Sequence, residues 1–371
     1  MTSITKKLRG ISSLIGNTPL LAINFKYRGE ERVIYAKAEY LNMTGSIKDR
    51  MAFHILAEGY RRGLLKSGDR IVEAATGNTG ISIASIGRAL GHPLTIFMPD
   101  WTSKERRKII SSLGSDINLV DKKDGGFVTC MSLAKEMVNN TENTFLSRQF
   151  SNIDNIDAHY LTTGPEIWWQ LKYRSKTPDA FVAGVGTGGT IMGVGKYLKE
   201  NNPNIKIHAL EPSNSPTIST GYQHGHHRIE GISDEFIPAI VDFSQLDEVE
   251  SVDDGDSIIM AQQLAKQLGI GVGISSGANF LGALKVQNRL GKDAVVVTVF
   301  ADSNKKYINT GLLEEEPIKS GFLSTDVQFE SFKSFKRVCN TCCEPGDCVE
   351  ANFNYDDSNV HLPYCVRRGK S

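Results

Sequence analysis

The chain has no surplus of either charge, with 42 Lys and Arg against 42 Asp and Glu in 371 residues. It therefore has no whole-molecule field to attract nucleic acid or an anionic membrane, and a small-molecule partner fits better. No stretch approaches the roughly 20 apolar residues that span a bilayer. Residues 1–10 carry lysines but no apolar core of the length a secretory signal needs, so the expected location is the cytoplasm. Tandem repeats are absent. Cysteine is nearly missing from the body: Cys130 stands alone, and Cys339, Cys342, Cys343, Cys348 and Cys365 all fall near the end. In a reducing compartment that clustering suggests metal or redox chemistry more than a disulfide framework.

What is present is a long globular composition, enough for two lobes plus an extension at ~100–200 residues per domain. After the turn signal Gly16-Asn17-Thr18-Pro19, residues 20–23 and 33–39 read as strands. Met51, Ile55, Leu56 and Tyr60 then recur at helical spacing, which puts Lys48 at or just before a helix amino end. Three βα units follow, with strands at 70–73, 94–98 and 116–120 and helices at 81–90, 104–113 and about 125–139. A helix at 157–172 leads to a buried strand at 180–185, a glycine-rich turn and a helix ending at Lys199. Strand 205–210, a polar loop at 211–230, helices 257–268 and 277–290 and strand 294–301 complete the body. This alternation predicts an α/β fold of two open parallel-sheet lobes with flanking helices and a cleft between them. The body spans residues 1–313, with a smaller lobe at about 40–150 inserted between parts of the larger. Residues 314–337 read as a partly helical linker and 338–371 as a cysteine-rich tail. Ligands in such folds sit outside the carboxyl ends of the strands, here in the cleft.

Three local signals carry chemistry. Asn42-Met43-Thr44-Gly45-Ser46-Ile47-Lys48-Asp49-Arg50 sets one lysine where an extended run meets a helix start, an end that disfavours a cationic amine. A lysine so placed can lose its proton and attack a carbonyl carbon. Gly186-Thr187-Gly188-Gly189-Thr190, between a strand and a helix, suits a phosphate, whose oxygens would take backbone amides and threonine hydroxyls. A plain glycine-rich βα turn would look the same, and the spacing matches neither the dinucleotide fingerprint nor the Walker loop. Asn78 in Thr76-Gly77-Asn78-Thr79-Gly80 either caps its helix or offers its amide to a ligand oxygen.

In this order along the chain, the three motifs resemble the pyridoxal-phosphate enzymes of the cysteine synthase and cystathionine β-synthase family, of the tryptophan synthase β-like fold. The resemblance covers about residues 8–313 and implies a pyridoxal 5'-phosphate cofactor and, usually, a homodimer. By resemblance Lys48 holds the cofactor and serves as general base, Asn78 meets its ring hydroxyl, and Gly186, Thr187, Gly188, Gly189 and Thr190 take its phosphate. Ser275 would face the pyridine nitrogen, leaving the ring a weaker electron sink than a carboxylate would, which suits loss of a β-substituent. Ala75, Thr76, Gly77 and Thr79 match the loop that closes on the substrate carboxylate, with Gln149 as partner and Gly231 opposite. The family usually has a threonine-serine pair where this chain has Ala75-Thr76, so one hydroxyl is missing.

The implied activity is β-elimination or β-replacement on cysteine or an activated serine, through an α-aminoacrylate. A second departure bears on the choice: Gly231-Ile232-Ser233-Asp234 stands where the family usually reads Gly-Ile-Gly and a variable residue. A carboxylate there can orient or deprotonate water, which would turn cysteine into serine and hydrogen sulfide; alternatively Asp234 is a solvated loop acid or helix cap. Cysteine synthesis, cystathionine or diaminopropionate formation, and a catalytically silent amino-acid sensor remain competitors. His224, His226 and His227 read as a solvated loop, and Lys104-Glu105-Arg106-Arg107-Lys108 and Lys305-Lys306 as solvated faces. The tail cysteines are candidates for zinc, an iron–sulfur cluster, labile disulfides or incidental thiols.

Overall fold

The computed structural model describes residues 3–222, 225–234 and 236–335. Cys339, Cys342, Cys343, Cys348 and Cys365, on which the metal expectation rests, lie outside the described residues, as does His224.

Helix α1 (Ser3–Ser12) leads into a hairpin of β1 (Leu20–Tyr27) and β2 (Glu30–Ala38). Arg28 and Gly29 turn it at φ of 51° and 82°, the left-handed pair that a two-residue hairpin turn uses. Next come α2 (Lys48–Arg61), β3 (Arg70–Ala74), α3 (Asn78–Leu90), β4 (Leu94–Pro99) and α4 (Lys104–Ser112). They are followed by β5 (Asp116–Val120), α5 (Gly126–Asn140) and β6 (Thr144–Leu146). The chain continues through α6 (Asp154–Ala158), a π turn (His159–Thr163), α7 (Gly164–Lys172), β7 (Ala180–Gly184) and α8 (Gly189–Asn201). Last are β8 (Lys206–Pro212), α9 (Thr217–Thr220), β9 (Glu248–Val252), α10 (Asp254–Leu268), α11 (Ile274–Leu290), β10 (Val296–Phe300) and β11 (Val327–Phe335).

The strands make two sheets, ordered β5-β4-β3-β6 and β11-β1-β2-β10-β7-β8-β9. The smaller sheet is wholly parallel, as is the larger from β2 to β9. The larger is nevertheless mixed, because β1 pairs antiparallel with both β2 and β11. Strand β11 corrects the linker expected at 314–337. Val327 and Phe329 point into the core, where the Phe329 ring lies 5.1 Å from Phe280 and 6.4 Å from Phe25. Beyond them the strand is an exposed edge carrying Ser331 and Lys333, so its alternation stops after two inward residues and leaves no period to read. Strand β9 also escapes a hydrophobic reading: its buried Glu250 is satisfied by His208 at 3.1 Å and by Arg289.

A cluster of buried charge anchors α2. Lys37, Glu39, Arg50 and Glu166 are each at most 3% exposed. Arg50 donates to Glu39 at 2.6 and 2.8 Å and to Glu166 at 2.7 Å twice, and Lys37 pairs with Glu166 at 2.7 Å. Burial alone would raise the Glu166 carboxyl, but Arg50 and Lys37 hold it well below the carboxylate range. Two cations balance two carboxylates, so the geometry is strongly specified. Arg50 lies in the first turn of α2, and that turn begins with Lys48.

Candidate active site

Lys48 is positioned from both sides. Its loop is tied to the end of β10 by the Ile47 N–H, which donates to Ala301 O at 2.8 Å. Buried Asp49 draws the loop in by accepting hydrogen bonds from Thr44 N–H, Thr44 Oγ1 and Ser82 Oγ, each at 2.6 Å. The Lys48 amine reaches into the cleft, 3.4 Å from Thr187 Oγ1. Burial pulls its pKa down from 10.5 to about 8, against the attraction of the Asp234 carboxylate. At pH 7 the amine is thus mostly protonated, with about a tenth of it free, far more than an ordinary lysine offers.

Residues 186–190 join β7 to α8 and require glycine for lack of room. A Cβ on Gly186 would lie 2.2 Å from Gly231 O, and one on Gly189 would lie 1.9 Å from Asn155 Oδ1. Gly188 has a φ of 90°, and its Cβ would meet Val241 at 2.4 Å. No side chain caps α8, so its first amides remain available to an anion. Thr187 Oγ1 accepts from Asn155 Nδ2 at 2.8 Å, and Thr190 Oγ1 lies 3.3 Å from His159 Nε2. Burial pushes the His159 pKa down to about 3, so the ring is neutral.

Across the cleft, Thr79 Oγ1 donates to Gln149 Oε1 at 2.6 Å, and Gln149 Nε2 donates to Ala74 O at 2.8 Å. Thr76 and Gly77 line the cleft beside them. Ala75 does not, which corrects its placement as a substrate contact: its methyl group packs in the apolar cluster of the smaller lobe and its N–H donates to Phe97 O. The cap alternative for Asn78 is also excluded. Asn78 is the first residue of α3, and its amide donates to Asp302 at 2.7 Å and accepts from Lys306 at 2.7 Å. Ser275, 6% exposed, opens α11 at the floor of the cleft. One turn on, Asn279 accepts from Gly184 N–H and donates to Val299 O, both at 2.8 Å, fastening the floor to β7 and β10.

The loop at 231–234 forms the remaining wall. Gly231 and Ser233 have φ of 88° and 57°, and Ser233 N–H donates to Val185 O at 2.8 Å, which ties the loop to the glycine turn. Asp234, partly buried, borders the cleft, and among the described residues no helix follows it closely enough to be capped. His227 Nε2 lies 3.2 Å from Ser233 O.

Several lining residues escape sequence reading. Arg106 and Lys306, expected on solvated faces, are each 6% exposed. Arg106 pairs with Glu230 and lies 5.3 Å from the centre of the Tyr307 ring, whose hydroxyl donates to Asp302 at 2.8 Å. Their burial is set by distant partners, and no local spacing signals it. The cleft holds about 920 Å³ of empty space, part of it open to solvent.

A family profile described as pyridoxal-phosphate dependent enzyme matches residues 11–302. A probable cysteine synthase of Bacillus subtilis is 38% identical over 307 residues, 83% of this chain and 98% of that protein. Among solved structures, a hydrogen sulfide-producing enzyme from Fusobacterium nucleatum is 54% identical with a TM-score of 0.87, covering 90% of this chain and all of that one. A structure of an aspartate-to-asparagine variant of that enzyme is described as complexed with an α-aminoacrylate intermediate. An O-acetylserine dependent cystathionine β-synthase from Helicobacter pylori is 34% identical with a TM-score of 0.73, over 84% of this chain and 100% of that one. No helix among the described residues is long and apolar enough to cross a membrane. The chain belongs to the pyridoxal-phosphate dependent enzymes, in the cysteine synthase family.

Proposed function

We propose that this chain releases hydrogen sulfide from cysteine and adds water at the same carbon, so that cysteine and water become serine and hydrogen sulfide. The observation that carries the reading is Asp234, a carboxylate bordering the cleft close enough to Lys48 to raise the affinity of that amine for its proton. Pyridoxal phosphate fits the residues present. A glycine turn with no room for a Cβ leaves free amides for its phosphate, Lys48 is an amine with a lowered pKa, and Ser275 offers a neutral hydroxyl. When bound, the cofactor supplies an electron sink for the substrate α-carbon.

The chain's residues do the rest. Thr76, Gly77, Thr79 and Gln149 hold the substrate carboxylate, with the Thr79–Gln149 bond keeping both side chains in place. Lys48, as a free amine, takes the α-proton and later returns it. Asp302 and Lys306 fix the orientation of the Asn78 amide, which would meet the cofactor's ring hydroxyl. The bond from the β-carbon to sulfur breaks and the sulfur leaves as hydrosulfide; the oxygen of water then bonds to the β-carbon while Asp234 accepts its proton, and release of that proton to solvent balances the one hydrosulfide takes up to become hydrogen sulfide.

Replacing Asp234 by Asn and following sulfide and serine formation from cysteine tests this; an unchanged rate of both removes the reading. Cysteine synthesis from an activated serine is the second reading, favoured by the cysteine synthases among the relatives. Family likeness also supports a homodimer working in the cytoplasm. Spacing alone supports a metal ion or cluster at Cys339, Cys342, Cys343, Cys348 and Cys365.

A further inference from the structure

Arg106 comes from α4 in the smaller lobe, yet its guanidinium ends in the cleft. It lies close to Gly77, where a Cβ would be 3.1 Å from a terminal nitrogen, and 5.3 Å from the centre of the Tyr307 ring. Its Nε is buried without a hydrogen-bond partner among the described residues. A buried guanidinium with a planar fork of donors is a receptor for a carboxylate. Here one terminal nitrogen of that receptor is already paired with a carboxylate oxygen of Glu230, which directly precedes the 231–234 loop and keeps a third of its side chain exposed. Glu230 and Asp234 together present two carboxylates to whatever enters beside the reacting carbon.

We infer that Glu230 is a specificity-determining residue: by pairing with Arg106 it neutralises that anion-binding group and so bars nucleophiles that carry a carboxylate. The cleft is left to water and small uncharged nucleophiles. This rests on the proposed β-elimination and addition, and it names the second substrate's class. A free Arg106 would instead hold the carboxylate of a second amino acid or thiol acid, and a like charge in its place repels one.

The test compares two thiols that differ in the carboxylate, mercaptoacetate and 2-mercaptoethanol, competing for cysteine turned over by the holoenzyme. In each case the thiol sulfur bonds to the β-carbon, its proton passes to solvent, and hydrogen sulfide leaves. S-carboxymethylcysteine and S-hydroxyethylcysteine are counted by mass spectrometry for the wild type, Glu230→Gln, and Glu230→Gln with Arg106→Gln. The wild type should favour the neutral thiol, Glu230→Gln should shift the ratio toward mercaptoacetate by about tenfold, equivalent to about 1.4 kcal/mol, and the double variant should lose the shift. A general loosening of the cleft changes both products together and leaves the ratio alone, which would overturn the inference. Calorimetric titration of glycolate into the same holoenzymes gives a readout without turnover. Binding should tighten about tenfold in Glu230→Gln and fall back in the double variant; equal affinities would overturn the inference. If the wild type turns over no cysteine with water or either thiol, the proposed function fails, while the titration still decides the role of Glu230.

Discussion

Replacing Lys48 by Met is expected to stabilise the cofactor-free protein while abolishing turnover. Withdrawal from water lowers the lysine pKa from 10.5 to about 8. Below pH 8 both folded and unfolded chains carry the proton, and the folded state bears the whole penalty of holding it. Between about pH 8 and 10.5 the unfolded chain binds more protons, so stability rises with pH; above 10.5 the penalty is gone. The fall from 10.5 to about 8, at about 1.36 kcal/mol per pH unit, corresponds to about 3 kcal/mol at pH 7. Methionine keeps the length of the side chain without the charge, so the gain should appear with little loss of packing. Urea unfolding of the two apoproteins at pH 7 and pH 10.5 reads it directly. Equal stabilities at pH 7, or a gain that persists undiminished at pH 10.5, would refute the reasoning.

Glu73 is the acidic counterpart: burial raises its carboxyl from 4.5 to about 8, and its Oε2 lacks a hydrogen-bond partner among the described residues. The folded carboxyl resists ionisation, so wild-type stability falls as pH rises from 4.5 to about 8. Glu73→Gln should be near neutral at pH 4.5 and gain about 1.36 kcal/mol per pH unit across that window, read by urea titration. Gly189→Ala puts a Cβ 1.9 Å from Asn155 Oδ1 and 2.9 Å from Asn155 O. Overpacking of about 1–3 kcal/mol should move Asn155 off Thr187 and weaken cofactor binding by about ten- to a hundredfold in an equilibrium titration. Arg50→Met leaves two buried carboxylates facing Lys37 alone and should cost about 3–5 kcal/mol in urea unfolding; a cost below 1 kcal/mol would show that the cluster does not anchor α2.

Sequence reading reached the parts of the cleft whose residue type is imposed by the backbone. The glycines of residues 186–190 are forced by Gly231 O, Val241 and Asn155, so a steric requirement appears as composition. Lys48, Asn78 and Ser275 each stand at or beside a helix start, and a change of period marks such points. Arg106 has the opposite character. It sits in a charged helix that looks solvated, and what buries it is Tyr307 and Glu230, both brought in by the other lobe. Asp302 and Lys306 act on Asn78 from farther still, 224 and 228 residues along the chain. Strand β11 was illegible for a related reason, since its partner β1 lies at the far end of the chain and its own outer half is polar.

The topology explains why a cleft whose burial lowers a lysine pKa also attracts anions. Helices α2, α3, α8 and α11 all begin at its walls, with Lys48, Asn78, Gly189 and Ile274 as their first residues. Each start carries about half a positive charge, which favours a phosphate and a carboxylate and disfavours an ammonium group. The same convergence lets carboxylates stand in the cleft, and Glu230 and Asp234 both use it, as the flanking residues of a loop whose backbone is held by Val185 O. None of the four helix starts is capped by a side chain. Under the proposed reaction, exchange at 230 or 234 should therefore alter which nucleophile reaches the β-carbon while cofactor binding is retained, which would place the choice of reaction in the loop.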